Sequence, residues 1–258
     1  MKFDIGSIIE LIARDAWVFL RLTGFMMAAP MLSNILVPVR IRVILLVALT
    51  VLLAPLVASQ SVPMAVDARS LLAAMNEILL GLGIGFTVQI AVEALSFAGT
   101  LTALSMGLGF ATLIDPMHRG DEPVVGQLYQ VLAILMYISV DGHLVLIGAL
   151  ADSFRWMPAG AASLGRESFW TIGSLGARLF ASGLLIALPA VVALLIVNLA
   201  LGVMSRAAPQ LNLYAVGFPI TLMFGLVVLV QALPALRQGF DQVLRESLGL
   251  AATLAVAR

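Results

Sequence analysis

LFASGLLIALPAVVALLIVNLALGVMS, residues Leu179 to Ser205, holds no Asp, Glu, Lys or Arg. It exceeds the ~20 residues that a helix needs to span a hydrocarbon core. Its apolar residues are continuous, whereas barrel strands would alternate over ~10-residue segments, so the reading is helix. Outward from it, Val43–Val66, Ala94–Ile114, Pro123–Val140 and Ala207–Leu236 are equally free of charge. The whole chain follows suit, with 62% apolar and 11% charged residues, against roughly 45–50% and 25% in a soluble domain. The expected fold class is all-α, built from hydrophobic helical hairpins in a membrane-grade chain.

Composition also removes several functions. There is no cysteine, hence no disulfide framework and no thiolate chemistry. Fourteen basic residues balance fourteen acidic ones, so no basic stripe is available for a nucleic-acid partner. The N-terminal MKFDIGSIIELIARDAWVFLRL is interrupted by Asp4, Glu10, Arg14 and Asp15. It lacks a signal-peptide form, and the mature protein is expected to begin near Met1.

Six principal helices are expected. The first, about 7–32, carries Glu10, Arg14, Asp15 and Arg21, an unusual load for a lipid-facing span. The second covers 41–57, the third opens at 67–69 and runs to about Phe97 or beyond, and the fourth covers 124–150. A polar interval, 153–176, separates an N-terminal part, 1–152, from a C-terminal hairpin, 177–236, whose two helices (179–204 and 213–233) are joined by SRAAPQLN. An amphipathic tail, 237–258, closes the chain. Loop charge, roughly eight Lys or Arg against four, would put both termini in the cytoplasm if all six helices spanned.

The interval 98–127, AGTLTALSMGLGFATLIDPMHRGDEPVVGQ, stands apart. It begins as a span, loosens at Gly107 and Gly109, and breaks at Asp115-Pro116. Glycine permits positive φ and close packing there, so the expectation is an apolar loop between helices without catalytic groups.

Gly81, Gly83 and Gly85 in LLGLGIGF lack the preceding strand, the spacing and the downstream acid of a dinucleotide loop. They read as small residues that let helices approach closely. Glu77, Gln89 and Glu93 lie in the same apolar helix and require pairing or hydration. Gln89 and Glu93, i and i+4, share a face. Glu77 and Glu93, sixteen apart at 100° per residue, do not. Inter-subunit hydrogen bonding is the preferred reading, with a proton relay as the alternative.

His118 and His143 have no set of convergent ligands at metal-site spacing. No nucleophile elbow accompanies any Ser/His/Asp combination. The chain reads as a non-enzyme with no metal and no cofactor. In SRAAPQLNLYAVGFPI, Arg206 can meet helix-end carbonyls or an acidic partner, Pro209 starts a bend and Asn212 can cap the next helix. Twelve methionines supply deformable apolar surface.

Five blocks in order then carry a resemblance over nearly the whole length. They are RLTGFMMAAPMLSNILVPVRIR, EILLGLGIGF, AGTLTALSMGLGFATLIDP with PVVGQ, DGHLVLIGALADSFRWMPAG, and NLALGVMSRAAPQLNLYAVGFPI. Together they resemble the FliR family of flagellar type III export-gate subunits. The resemblance implies a single-copy subunit assembled with FliP-like and FliQ-like subunits and associated with FlhB-like and FlhA-like proteins, at the flagellar basal body in the bacterial inner membrane. It implies a FliP-like build for 1–152, a FliQ-like hairpin at 177–236, and helices largely held in the assembly above the bilayer plane, with membrane lipid nearby. Exported unfolded flagellar proteins would be its cargo.

The resemblance further implies a channel plug. It falls within 105–123, on Ser105, Met106, Gly107, Leu108, Gly109, Phe110, Ala111, Asp115 and Pro116, with Gly107 and Gly109 as hinges and Phe110 as filler. Subunit-interface candidates are Glu77, Gly81, Gly83, Gly85, Gln89, Glu93, Arg206, Pro209 and Asn212. Two rivals are the equivalent subunit of a virulence-type injectisome and an independent small-molecule transporter coupled through Glu77 or Glu93.

Overall fold

The computed structural model describes residues 5–34, 37–57, 67–109, 123–160, 165–207 and 213–256. Among them, every regular element is helical: α1 (Ile5–Ala28), α2 (Val39–Leu53) followed by a 3₁₀ turn (Ala54–Val57), α3 (Ala68–Ser105), α4 (Val124–Ser139), α5 (Gly142–Trp156), α6 (Arg166–Ala207) and α7 (Leu213–Val256). The all-α class follows from the uninterrupted apolar runs, because each helix closes its own backbone hydrogen bonds where water is scarce. Among the described residues, three helical segments, Ala68–Ser105, Arg166–Ala207 and Gly217–Ala255, are long and apolar enough to cross a membrane. A fourth span is possible by length and composition if α4 and α5, bent at their junction, count as one.

That junction corrects the expectation of one helix over 124–150. Asp141 adopts a left-handed conformation, φ 54°, and its carbonyl accepts from the amide of Leu144 at 2.9 Å, starting a new helix. Gly142 then sits so close to Tyr137 that an added Cβ would lie 2.5 Å from the ring. The Asp-Gly dipeptide is a turn signal, and here it outweighs the apolar sequence on both sides.

The chain packs as two compact units. The first comprises Met1–Ile90, Tyr137–Gly176 and Leu244–Arg258; the second comprises Ala91–Met136 and Ala177–Val243. Helices α3, α6 and α7 each contribute to both.

In the first unit α1 buries Trp17, Val18, Arg21, Leu22 and Phe25, the i, i+4, i+8 stripe of one helical face. An arginine in that stripe demands an explanation. The stripe meets the first part of α3, where Glu77, Leu80, Ile84 and Val88 are buried at the same periodicity.

Small side chains dominate the interior of the second unit: Ala91, Ala94, Ala98, Ala103, Ala133, Ala187 and Ala190 are all buried. Close approach replaces bulk. A Cβ on Gly99 would come within 2.8 Å of the Val125 carbonyl oxygen, and one on Gly183 within 2.7 Å of the Ala94 carbonyl oxygen. Phe97 and Phe180 meet edge to face, centroids 5.3 Å apart. This geometry is the preferred one for aromatic pairs.

Candidate functional site

Arg21 and Glu77 are each 0% exposed and form the charged centre of the first unit. Arg21 Nε donates to Glu77 Oε2 at 2.6 Å, Nη1 donates to Ser153 Oγ at 2.9 Å, and Nη2 donates to the Met157 carbonyl at 2.9 Å. The other carboxylate oxygen of Glu77 accepts from the Gly160 amide at 2.8 Å. Ser153, having accepted from Arg21, donates to the Leu150 carbonyl at 2.6 Å. The Phe154 ring lies 4.0 Å beneath the guanidinium carbon, within cation–π range.

Taking two charges out of water is tolerable only when geometry is good and the remaining donors are satisfied. Here the contacts are short, and each guanidinium nitrogen of Arg21 and each carboxylate oxygen of Glu77 has a partner. The pair ties α1 to α3, and through Met157 and Gly160 it holds the chain that follows α5. Gly160 takes φ 82°, a conformation that glycine adopts without strain. Both carboxylate oxygens of Glu77 are committed to partners within this unit.

The glycines predicted to allow close approach do so within this chain. A Cβ on Gly81 would lie 1.9 Å from the Arg21 carbonyl oxygen, one on Gly85 2.8 Å from that of Phe25, and one on Gly24, across the crossing, 2.0 Å from that of Ile78. Gly83 points elsewhere: its Cβ would touch Ile172 Cδ1 of α6 at 3.0 Å. Close backbone approach brings α1 and α3 near enough for Arg21 to reach Glu77.

The second feature is the end of α3, where the loop expected to act as a plug begins. Gly107 has φ 86°. Its amide donates to the Leu104 carbonyl at 3.0 Å, and the Leu108 amide donates to the Ala103 carbonyl at 3.0 Å. This pair of bonds is a Schellman cap, with Gly107 as the left-handed residue. Thr102 accepts from the Met106 amide at 3.0 Å.

Side chains from the hairpin satisfy the next two carbonyls. Asn198 Nδ2 of α6 donates to the Ser105 carbonyl at 3.0 Å, and Thr221 Oγ1 of α7 is 3.2 Å from the Met106 carbonyl. Met106 is itself buried. It lies over Gly225, where an added Cβ would sit 2.4 Å from Met106 Cε. Five successive carbonyls, from Thr102 to Met106, therefore each have a donor.

The structure places the other candidates apart from these two centres. Gln89 and Glu93 are half-buried on α3, and Arg206 is exposed at the end of α6. Phe110, Ala111, Asp115, Pro116, His118, Pro209 and Asn212 lie outside the described residues. His143 meets the Tyr137 ring edge to face at 6.5 Å. Among the described residues no three His, Asp or Glu side chains converge as metal ligands.

Sequence reasoning named Arg21 and Glu77 without pairing them, and passed over Ser153, Asn198, Thr221 and Gly225. A usable signal existed for Asn198, an amide inside a charge-free run that cannot be left there without a partner.

Large apolar side chains remain uncovered on the hairpin. Leu185, Ile196 and Leu199 of α6 and Met223, Val227 and Val230 of α7 are each more than half exposed. So much contiguous apolar surface requires lipid or protein against it.

The sequence is 35% identical over 238 residues to the flagellar biosynthetic protein FliR of Escherichia coli, covering 92% of this chain and 91% of that protein. It is 34% identical over 254 residues to FliR of Pectobacterium carotovorum, covering 98% and 97%. With FliR of Bacillus subtilis the identity is 27% over 228 residues, 87% and 88% of the two chains. The profile of one family, described as bacterial export proteins, family 1, matches residues 12–247. A membrane-grade helical chain with that match over nearly all its length belongs to bacterial export proteins, family 1.

Proposed function

We propose that this chain is a single-copy core subunit of the flagellar type III export gate, forming part of the channel and its plug for the passage of unfolded flagellar proteins. The coarse assignment, a component of the flagellar export apparatus in a membrane, rests on family membership, on full-length relatives named for flagellar biosynthesis, and on three helices able to cross a bilayer. The finer reading has one principal support. The hairpin leaves its apolar faces uncovered, as a subunit built to be enclosed by other helices would.

In this reading residues 1–152 are built like FliP and 177–236 like FliQ. FliP-like and FliQ-like subunits cover the open faces, FlhB-like and FlhA-like proteins associate with them, and the site is the bacterial inner membrane at the basal body. Gln89, Glu93, Arg206, Pro209 and Asn212 meet neighbouring subunits, while Glu77, Gly81, Gly83 and Gly85 act through the packing of their own unit. The segment from Ser105 to Pro116 serves as the plug. An export channel needs an obstruction that yields, and an apolar loop can be displaced without breaking many hydrogen bonds.

Co-expression with the neighbouring export genes, followed by mass measurement of the purified complex, is the test. One copy of this chain with several copies of two partners is expected. A stable monomer or homo-oligomer would instead favour an independent transporter. Loss of motility on gene deletion, with no effect on injection of effectors, separates the flagellar assignment from the injectisome one.

A further inference from the structure

The end of α3 is held by more than its own backbone. A helix leaves its last four carbonyls without intrahelical donors. The Schellman turn accounts for Ala103 and Leu104, yet Ser105 and Met106 are supplied by Asn198 and Thr221, from the two helices of the hairpin. We propose that Asn198 and Thr221 are positioning residues that pin the root of the loop after α3 in its resting place, with the Thr221 hydroxyl as a two-position latch. The proposal rests on the reading of that loop as the plug, because only then does its anchorage control passage.

The latch follows from the count of protons. A threonine hydroxyl carries one, and Thr221 Oγ1 has two acceptors in reach, the Met106 carbonyl at 3.2 Å and, one turn back on its own helix, the Phe218 carbonyl at 2.9 Å. When Met106 moves away the hydroxyl keeps a partner in Phe218, so no donor is orphaned. An apolar pocket cooperates: the Met106 side chain rests on Gly225, one helical turn beyond Thr221, where only a missing side chain leaves room. Withdrawal of Met106 would thus exchange one hydrogen bond for another on the hairpin side and expose a flexible thioether. Gly107, held by the cap at φ 86°, moves only when the cap opens.

The chain has no native cysteine, so a single Met106→Cys reports on the pocket through its rate of maleimide labelling in membranes containing the assembled apparatus. Adding Asn198→Leu and Thr221→Val should raise that rate about tenfold, since each removes one hydrogen bond to the end of α3 while keeping bulk. Thr221→Ser, which keeps the hydroxyl, should restore the parent rate.

Proton leak through the same membranes is measured in parallel. A rise in labelling and leak together supports latch and plug alike. A rise in labelling with unchanged leak supports the latch and overturns the plug reading. An unchanged labelling rate overturns the latch, as does a Thr221→Ser rate equal to that of Thr221→Val, because packing of the methyl group would then explain everything. Should the double variant fail to accumulate, the two single variants carry the same comparison through hydrogen exchange at Gly107 and Leu108, and equal protection in parent and variants overturns the proposal.

Discussion

The two units hold themselves together by different chemistry. In the first, a fully buried ion pair is wrapped by a serine, two loop backbone groups and a phenylalanine, and each of these polar atoms has a partner. The second has an alanine-rich interior, close approaches at Gly99, Gly183 and Gly225, and two neutral side-chain bonds at the end of α3. The difference lies in how they fail. A charged network is all or none, since removing one member strands the other in a medium of low dielectric. Neutral links yield singly and at small cost.

The sharpest break in that contrast comes from Glu77. Glu77→Leu should destabilise the first unit by about 3–5 kcal/mol, because Arg21 is left buried and unpaired. Adding Arg21→Met should recover most of the loss, seen as restored protein in the membrane fraction and a restored thermal midpoint. If the double variant is as poor as the single, the pair is not the source of the effect.

Next in size is Gly81→Leu. Its Cβ falls 1.9 Å from the Arg21 carbonyl oxygen, so two backbones must separate, at a cost of ~3 kcal/mol or more. Gly225→Ala meets side chain rather than backbone, Met106 Cε at 2.4 Å and Cγ at 2.6 Å, and should cost less, about 2 kcal/mol. Thermal unfolding of the two in one detergent would settle the ranking, and equal losses would erase the distinction between units.

Gly107→Ala forces an L side chain into φ 86° and should cost about 1 kcal/mol, local to the cap. Faster hydrogen exchange confined to Gly107Ala, Leu108 and Gly109 is the expected signature; a global loss of stability would contradict it.

The smallest effect lies at the other end of α3. Asp67 Oδ1 accepts from the Ser70 amide at 2.8 Å, a helix N-cap. The Ser70 amide, and then the Ser70 hydroxyl, hold its carboxyl below the usual aspartate range. A lowered carboxyl favours the folded form while ionised. Its contribution should be complete above the ordinary aspartate value of 3.8 and fade as pH falls below it. Acid-dependent fraying of residues 68–71, abolished in Asp67→Asn, would be the readout.

Much of the fold could be read from sequence because its causes are local. Long apolar runs became α3, α6 and α7, and Gly81 and Gly85 did mark a close crossing. What escaped was set by pairings distant in sequence. Nothing near Arg21 points to a glutamate 56 residues away or a serine 132 away; only the cost of leaving either charge alone does. The break at Asp141-Gly142 was missed for another reason: the apolar runs on either side suggested one helix, and the Asp-Gly turn signal between them was not weighed against that pattern. The sequence marked Gly107 as special, but its part in the cap depends on the carbonyls of Ala103 and Leu104. Asn198 and Thr221 were invisible as a pair because they sit on different helices.

The buried ion pair also carries a timetable. Arg21 leaves the ribosome 56 residues before Glu77 and 132 before Ser153. At about 5–20 residues per second, its full set of partners arrives on the order of ten seconds late. Through that interval α1 presents a cation in the middle of its apolar stripe. It must wait in water or at the headgroups, so final docking of the first helix comes after α5 has been made.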